Sequence, residues 1–86
     1  MPEISRFFGI VIRMYFYDHD PPHFHAASVG TEAQILIRPV GLLGGELPPG
    51  TLALVVDWAT LHQAELEENW RRLHDDEPPM RIAPLE

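Results

Sequence analysis

The stretch that decides the fold is Phe8-Gly9-Ile10-Val11-Ile12-Arg13-Met14-Tyr15-Phe16. It is rich in aromatic and β-branched side chains, and its residues alternate between two faces with a period of two. This alternation predicts a first β-strand over about residues 8–16. One face of that strand would lie in a core, and it carries Ile10, Ile12, Met14 and Phe16.

Two further strands are predicted after a turn. Residues 17–22 form the turn because their two prolines cannot both sit inside a central strand. Residues 23–28 and 32–38 then alternate as strands, and Gly30 lies in the short turn between them. Residues 42–43 form either a short fourth strand or part of an irregular segment, since the glycines on both sides weaken any strand pattern.

The second half of the chain is predicted to be helical. Pro48-Pro49-Gly50-Thr51 is a helix start, and apolar residues at helical spacing extend the helix over about residues 49–74. Pro78 and Pro79 end it, and residues 78–86 form an extended tail. We therefore expect a single α+β domain over residues 1–86. It consists of a three- or four-stranded antiparallel β-meander packed against one long C-terminal helix.

Composition restricts the classes of function. The 86 residues carry a formal charge of −7, all six basic residues are arginine, and there is no cysteine. Disulfides and thiolate metal sites are therefore excluded. Proteins that hold nucleic acid by neutralising phosphates are usually basic, so RNA is a weakly supported partner. We expect a cytoplasmic protein without a membrane span, because no apolar run approaches the length that a bilayer requires.

A cluster of histidines follows the first predicted strand, in Asp18-His19-Asp20-Pro21-Pro22-His23-Phe24-His25. His23 and His25 are two residues apart on a strand, so both rings project from the same face. Imidazole and carboxylate groups are ligands of zinc-like ions, and three protein ligands with one open position are typical of catalytic sites. The pattern predicts a divalent, zinc-like metal bound by His19, Asp20, His23 and His25.

Two other interpretations of the histidines remain. The face of the sheet that carries His23 and His25 would also present Arg13, Tyr15 and Arg38, and it would be open to solvent. These five side chains could cleave RNA without a metal, with histidines as general acid and base and arginines stabilising the phosphorane charge. Alternatively, the histidines brace the bend by hydrogen bonds and have no chemical role.

The predicted helix has a second apolar stripe, made of Leu54, Trp58 and Leu61. One helix over a small sheet cannot easily bury two stripes. Either the tail covers the second stripe through Ile82 and Leu85, or a protein partner does.

Several motifs resemble those of a small bacterial family, domain of unknown function 4160. They are the opening Met1 to Phe16, the Asp-His-Asp-Pro-Pro-His-Phe-His-Ala motif, the pattern around Trp58 and Trp70, and the ending Ile82 to Glu86. The motif residues that match are His19, Pro21, Pro22, His23, Phe24, His25, Trp58 and Trp70. The chain departs from the family where Gly41-Leu42-Leu43-Gly44-Gly45 replaces a more polar turn.

The resemblance implies a role rather than an activity. Members resemble one half of a toxin–antitoxin-like two-gene module, beside a second small family, domain of unknown function 2442. The resemblance therefore implies a protein that binds a small partner encoded nearby, with Leu54, Trp58 and Leu61 as the interface. A homodimer is a further alternative. The enzyme alternative is a histidine-dependent ribonuclease or a metal-dependent hydrolase.

Overall fold

The computed structural model describes residues 2–86 and shows five strands followed by two helices. The strands are β1 (Glu3–Phe7), β2 (Ile10–Arg13), β3 (His23–Ser28), β4 (Thr31–Ile37) and β5 (Val40–Gly45), and the helices are α1 (Pro49–Leu61) and α2 (Gln63–His74). The strands form one antiparallel meander in the order β1-β2-β3-β4-β5. The predicted α+β class is confirmed, but its three or four strands and its single helix are wrong in number.

The first strand was predicted in the wrong place because a tight turn interrupts it. Phe7 pairs with Ile10, and the two residues between them, Phe8 and Gly9, have φ angles of 49° and 76°. Two consecutive residues with positive φ make the hairpin turn that matches the twist of antiparallel strands. Phenylalanine rarely adopts this conformation, so a strand pattern that starts at Phe8 conceals both the turn and the strand β1 before it.

The later strands lie close to their predicted positions. β3 has the predicted bounds, β4 begins and ends one residue earlier than predicted, and residues 42–43 belong to the longer strand β5. The two-residue turn after β4 contains a cis peptide bond between Arg38 and Pro39, and a second cis bond joins Asp20 to Pro21. The histidines therefore lie on β3, the central strand of the five, near the end at which β3 begins.

The predicted single helix is interrupted at His62, which has φ −120° and ψ 24°. The His62 amide donates to the Ala59 carbonyl, and α2 begins one residue later. Gln63 then donates from its side chain to the carbonyl of Ile37, at the end of β4. This break lets α2 start against the end of the sheet. Neither proline nor glycine marks it in the sequence, so the helical pattern runs through it.

The core lies between the sheet, the helices and the C-terminal tail. Phe24, Trp58 and Leu66 are fully buried within it. Of the four residues that the first predicted strand directs into the core, Ile10, Ile12 and Met14 are buried. Phe16 is an error, since it lies beyond β2 and is 45% exposed. No helix within residues 2–86 is long and apolar enough to cross a membrane.

The tail over residues 78–86 forms neither a helix nor a strand, and it closes the core. The Ile82 amide donates to the Ile4 carbonyl over 2.8 Å, which ties the tail to β1. Asn69 both donates to and accepts from the backbone of Met80, each over 2.8 Å. Trp58 donates from its indole nitrogen to the Ala83 carbonyl. The tail therefore covers the tryptophan side of α1.

Candidate metal centre

Two histidines of β3 and one aspartate of the preceding loop come together at one end of the sheet. His23 and His25 share a strand face because they are two residues apart, and Phe24 between them points into the core. Asp18 lies in the loop that joins β2 to β3, and its side chain turns back toward both rings. We refer to Asp18, His23 and His25 as the Asp-His-His triad.

The triad converges on one oxygen atom. Asp18 Oδ2 lies 3.1 Å from His23 Nε2 and 3.0 Å from His25 Nε2. One potential ligand atom from each of the three residues lies within 4.8 Å of the other two. The three side chains are largely buried, with exposures of 17% for Asp18, 7% for His23 and 15% for His25. The site is therefore mostly shielded from water, and Asp18 and His25 keep a small exposed fraction.

The second nitrogen of each imidazole ring, Nδ1, faces an oxygen atom on the side away from Asp18. His23 Nδ1 lies 2.8 Å from the Pro21 carbonyl oxygen, which can only accept, so Nδ1 donates. His25 Nδ1 faces a Glu32 carboxylate oxygen at 3.6 Å, which is too long for a hydrogen bond, and this buried atom has no other partner. Both rings are therefore oriented with Nδ1 toward an oxygen atom and Nε2 toward Asp18.

The C-terminal end of α2 supports the triad. The Trp70 ring packs against His23 with centroids 5.5 Å apart, and the ring of His74 stacks on Trp70 at 4.5 Å. His74 bonds through Nε2 to the backbone carbonyl of Asp18 at 3.0 Å. Tyr17, next to Asp18, donates from its hydroxyl to Asp76 just beyond α2. The loop that carries Asp18 is thus fixed to the helix at two adjacent residues.

Electrostatics keep Asp18 ionised. Burial alone would raise its pKa, but the hydrogen bond from His25, the amide of His19 and the charges of His23 and His25 outweigh it and lower the pKa below 3.8. A carboxylate that stays charged in a mostly buried position is suited to binding a cation.

Tyr15 lies beside the triad, with its ring edge-on to His25 at 4.5 Å. Burial, assisted by the negative charges of Glu32 and Asp18 and opposed by Arg13, raises the pKa of the Tyr15 phenol above 10. The phenol therefore keeps its proton at neutral pH and can donate a hydrogen bond.

The structure assembles a different set of candidate ligands from the predicted one. His19 and Asp20 are exposed and lie outside the triad, whereas Asp18, which was not predicted as a ligand, takes the central place. Both aspartates flank the same histidine in the sequence. Only the path of the loop decides which carboxylate turns toward β3, and the sequence contains no simple signal for that path.

The predicted solvated face is found only in part. His23 and His25 do share a face, and Arg13 lies opposite His25 on β2. However, His23 is only 6% exposed and contacts Trp70 of α2, so the face is covered there. Arg38 is not free on this face either, because its guanidinium donates two hydrogen bonds to Glu67 on α2. The five predicted catalytic side chains are therefore not equally available at one open surface.

The predicted interface stripe is mostly inside the protein. Trp58 is fully buried and packs against Phe24 and Phe7, and Leu54 is partly buried against the core. Leu61 is 71% exposed. The tail provides the cover that sequence reasoning gave as the alternative to a partner, through the buried Ile82.

A separate groove of about 260 Å³ lies between α2 and the tail, lined by residues that include Asn69, Met80 and Ile82. It contains none of the predicted site residues.

Comparison with known proteins places the chain in a family. The profile of Domain of unknown function (DUF4160) matches residues 9–71 of the 86 residues. The chain belongs to the DUF4160 family. The match includes all three residues of the triad, so the site lies within the DUF4160 domain. Neither a curated protein nor a solved structure shows significant similarity to the chain.

Proposed function

We propose that this DUF4160 protein binds a divalent, zinc-like metal ion through Asp18, His23 and His25. The observation that carries the proposal is the orientation of the two imidazoles. His23 donates from Nδ1 to the Pro21 carbonyl, so its neutral ring directs the lone pair of Nε2 at Asp18 Oδ2, and His25 directs its own Nε2 at the same oxygen. The His23 lone pair and the Asp18 carboxylate repel each other, and a cation bound by all three side chains would remove this repulsion.

The donor set and its spacing fit such an ion. Zinc is bound by histidine nitrogen and aspartate oxygen at about 2.0–2.2 Å, so tetrahedral ligands lie about 3.3 Å apart. The Asp18 oxygen lies 3.1 and 3.0 Å from the two imidazole nitrogens, close to this spacing, and all three ligand atoms lie within 4.8 Å of one another.

The groups behind the ligands support the same proposal. Histidine ligands usually donate their second N–H to a carbonyl or carboxylate, which fixes the ring. The Pro21 carbonyl accepts from His23 in this way, and the Glu32 carboxylate lies 3.6 Å from His25 Nδ1, on the side where such an acceptor would be. A bound ion would also explain why the buried Nδ1 of His25 faces Glu32, since that nitrogen would then carry the proton.

Three protein ligands leave a fourth coordination position, which is typical of catalytic rather than structural zinc. When bound, such an ion acts as a Lewis acid toward a group in that position. The proposal therefore favours a metal-dependent hydrolase over a metal-free ribonuclease. The metal-free mechanism needs both histidines within reach of RNA, and His23 is 6% exposed in a protein of charge −7.

Calorimetric titration of untagged, chelator-treated protein with Zn²⁺ tests the proposal. We expect one ion per chain in the wild type and a loss of at least about tenfold in affinity in His25→Ala. His19→Ala is the matched control, because it removes an exposed histidine of the same motif that lies outside the triad. Circular dichroism and thermal unfolding establish that both variants fold. Equal zinc affinity in His25→Ala and His19→Ala, or no binding in the wild type, contradicts the proposal.

The second candidate function is partner binding in a toxin–antitoxin-like module, as the family resemblance implies. The observation that favours it is the outer edge of β5, which has no neighbouring strand among residues 2–86. Leu42 and Leu43 on this strand are 47% and 42% exposed, and β5 carries no charged residue. Unprotected strand edges are the usual place where another chain adds a strand.

Co-expression with a protein of the family called domain of unknown function 2442 tests this candidate. We expect the two chains to elute together in size-exclusion chromatography, and Leu43→Lys to separate them. Leu61→Lys is the control, because Leu61 is also exposed but lies on α1. Elution of the wild-type chains as separate species, or equal disruption by both variants, would reject the β5 edge as the partner site.

A further inference from the structure

Arg13 differs from every other arginine in the protein. Within residues 2–86, the other five arginines each have a carboxylate oxygen within 4.0 Å, whereas Arg13 has no such partner. This is unexpected in a chain with 13 acidic residues. Arg13 is also half-buried on a strand rather than extended from a helix surface. Its guanidinium has five N–H donors that no acidic side chain occupies.

Arg13 lies beside the Asp-His-His triad. It is the cross-strand partner of His25 in the pairing of β2 with β3. Directly opposed residues of an antiparallel pair have their Cβ atoms about 4.5–5.5 Å apart on the same face, so both side chains project together. Tyr15, two residues further along, packs its ring against the same histidine. Its hydroxyl has no hydrogen-bond partner within the described chain.

The unpaired hydrogen-bond donors beside His25, on Arg13 and Tyr15, indicate whether a ligand at this site is an anion or a cation. A divalent ion in the triad exceeds the single charge of Asp18, and Arg13 adds another positive charge. Glu32 offsets part of this, but its side chain is 47% exposed and therefore well screened. A group that enters the fourth coordination position thus meets an excess of positive charge and N–H and O–H donors, which favours an anion.

We propose that the triad with its metal ion and Arg13 together bind the phosphate group of a small phosphate monoester. The inference rests on the proposed function, since the metal provides one of the two anchors. A phosphate monoester has three terminal oxygens, so one can bind the ion while two accept from the planar fork of Arg13. A carboxylate has only two oxygens and cannot fill both anchors in this way. The charge of −7 opposes a long polyanion such as RNA, so the ligand is a small ester.

The inference is tested by titrating the zinc-loaded protein with methyl phosphate. Binding is monitored by ³¹P NMR and by calorimetry. We expect saturable binding that disappears when zinc is removed. Arg13→Gln should weaken methyl phosphate binding at least about tenfold while zinc affinity stays the same, because a charged hydrogen bond to the anion is lost and no metal ligand changes. Arg6→Gln is the matched control, since Arg6 is an exposed strand arginine already paired with Glu3.

The outcomes separate the two proposals. Absence of zinc binding rejects the proposed function, and this inference with it. Normal zinc binding without methyl phosphate binding, or equal weakening in Arg13→Gln and Arg6→Gln, rejects only the inference. Acetate that binds as tightly as methyl phosphate rejects the phosphate class. Thermal unfolding of each variant shows that the comparison is made on folded protein.

Discussion

The imidazole of His74, at the end of α2, bonds to the backbone carbonyl of Asp18, 56 residues earlier in the chain, at 3.0 Å. Its other nitrogen lies 2.8 Å from the Trp70 carbonyl. Both acceptors are carbonyl oxygens, so both contacts are hydrogen bonds only when the ring is doubly protonated. His74 therefore links the protonation of one side chain to the position of the loop that carries a candidate metal ligand.

Stability should depend on pH through His74. The carbonyl of Trp70, then that of Asp18, and the charges of Asp20 and Asp18 raise its pKa above 6.5 in spite of some burial. Because the folded pKa is raised, this stabilisation is fully present below the unfolded value of about 6.5 and is lost as pH rises through the folded pKa. Urea unfolding of metal-free protein should show a larger difference between wild type and His74→Gln at pH 6 than at pH 9. A difference that is the same at both pH values would show that His74 is not the titrating group.

Metal binding should stabilise the fold, because the triad joins a loop to a strand and neither is held in the unfolded chain. Zinc at about 100 times its dissociation constant should add about 2.7 kcal/mol to the free energy of unfolding. Thermal unfolding with and without a chelator measures this shift. The shift should vanish in His25→Ala and persist in His19→Ala. It should also vanish near pH 4, where imidazole protons compete with the ion. Stabilisation of His25→Ala by the same amount would mean that zinc binds elsewhere.

Most of the strands could be predicted from the sequence, because apolar and polar side chains alternate along a strand that has one buried face. Phe24 and Ile35, in the middle of the sheet, are examples of the buried positions. The prediction failed at Phe8-Gly9, where a bulky residue adopts positive φ, and at His62, where a helix breaks without proline or glycine. Both failures are turns imposed by packing across the sheet rather than by local preference.

The two histidines of the candidate site could be predicted from the sequence, but its carboxylate could not. His23 and His25 share a face by strand geometry alone. The choice of Asp18 over Asp20 depends on the loop over residues 14–22, which α2 holds through Tyr17 and His74. These are contacts between residues more than 50 positions apart, and no pattern within the motif reports them.

Replacement of Trp58 should affect stability rather than association. The side chain is fully buried, packs on Phe7 and Phe24, and donates to Ala83. Trp58→Ala should therefore destabilise the protein by about 3–5 kcal/mol. Leu61→Ala, on the same predicted stripe but 71% exposed, should change stability by less than about 0.5 kcal/mol. Denaturant unfolding measures both variants. Nearly wild-type stability of Trp58→Ala would contradict the buried position.

Removal of the Asn69 amide should release the tail from α2. Asn69 is 1% exposed and satisfies both the amide and the carbonyl of Met80, so Asn69→Ala leaves two backbone groups without their partner. We expect a loss of about 1–3 kcal/mol of stability. Amide hydrogen exchange should become faster at Ile82, whose N–H bonds to Ile4, while β3 and β4 stay protected.

Glu67→Gln is the control, since it changes an exposed residue of the same helix that contacts Arg38 instead of the tail. Faster exchange throughout the sheet in Asn69→Ala would show global destabilisation instead of local release of the tail.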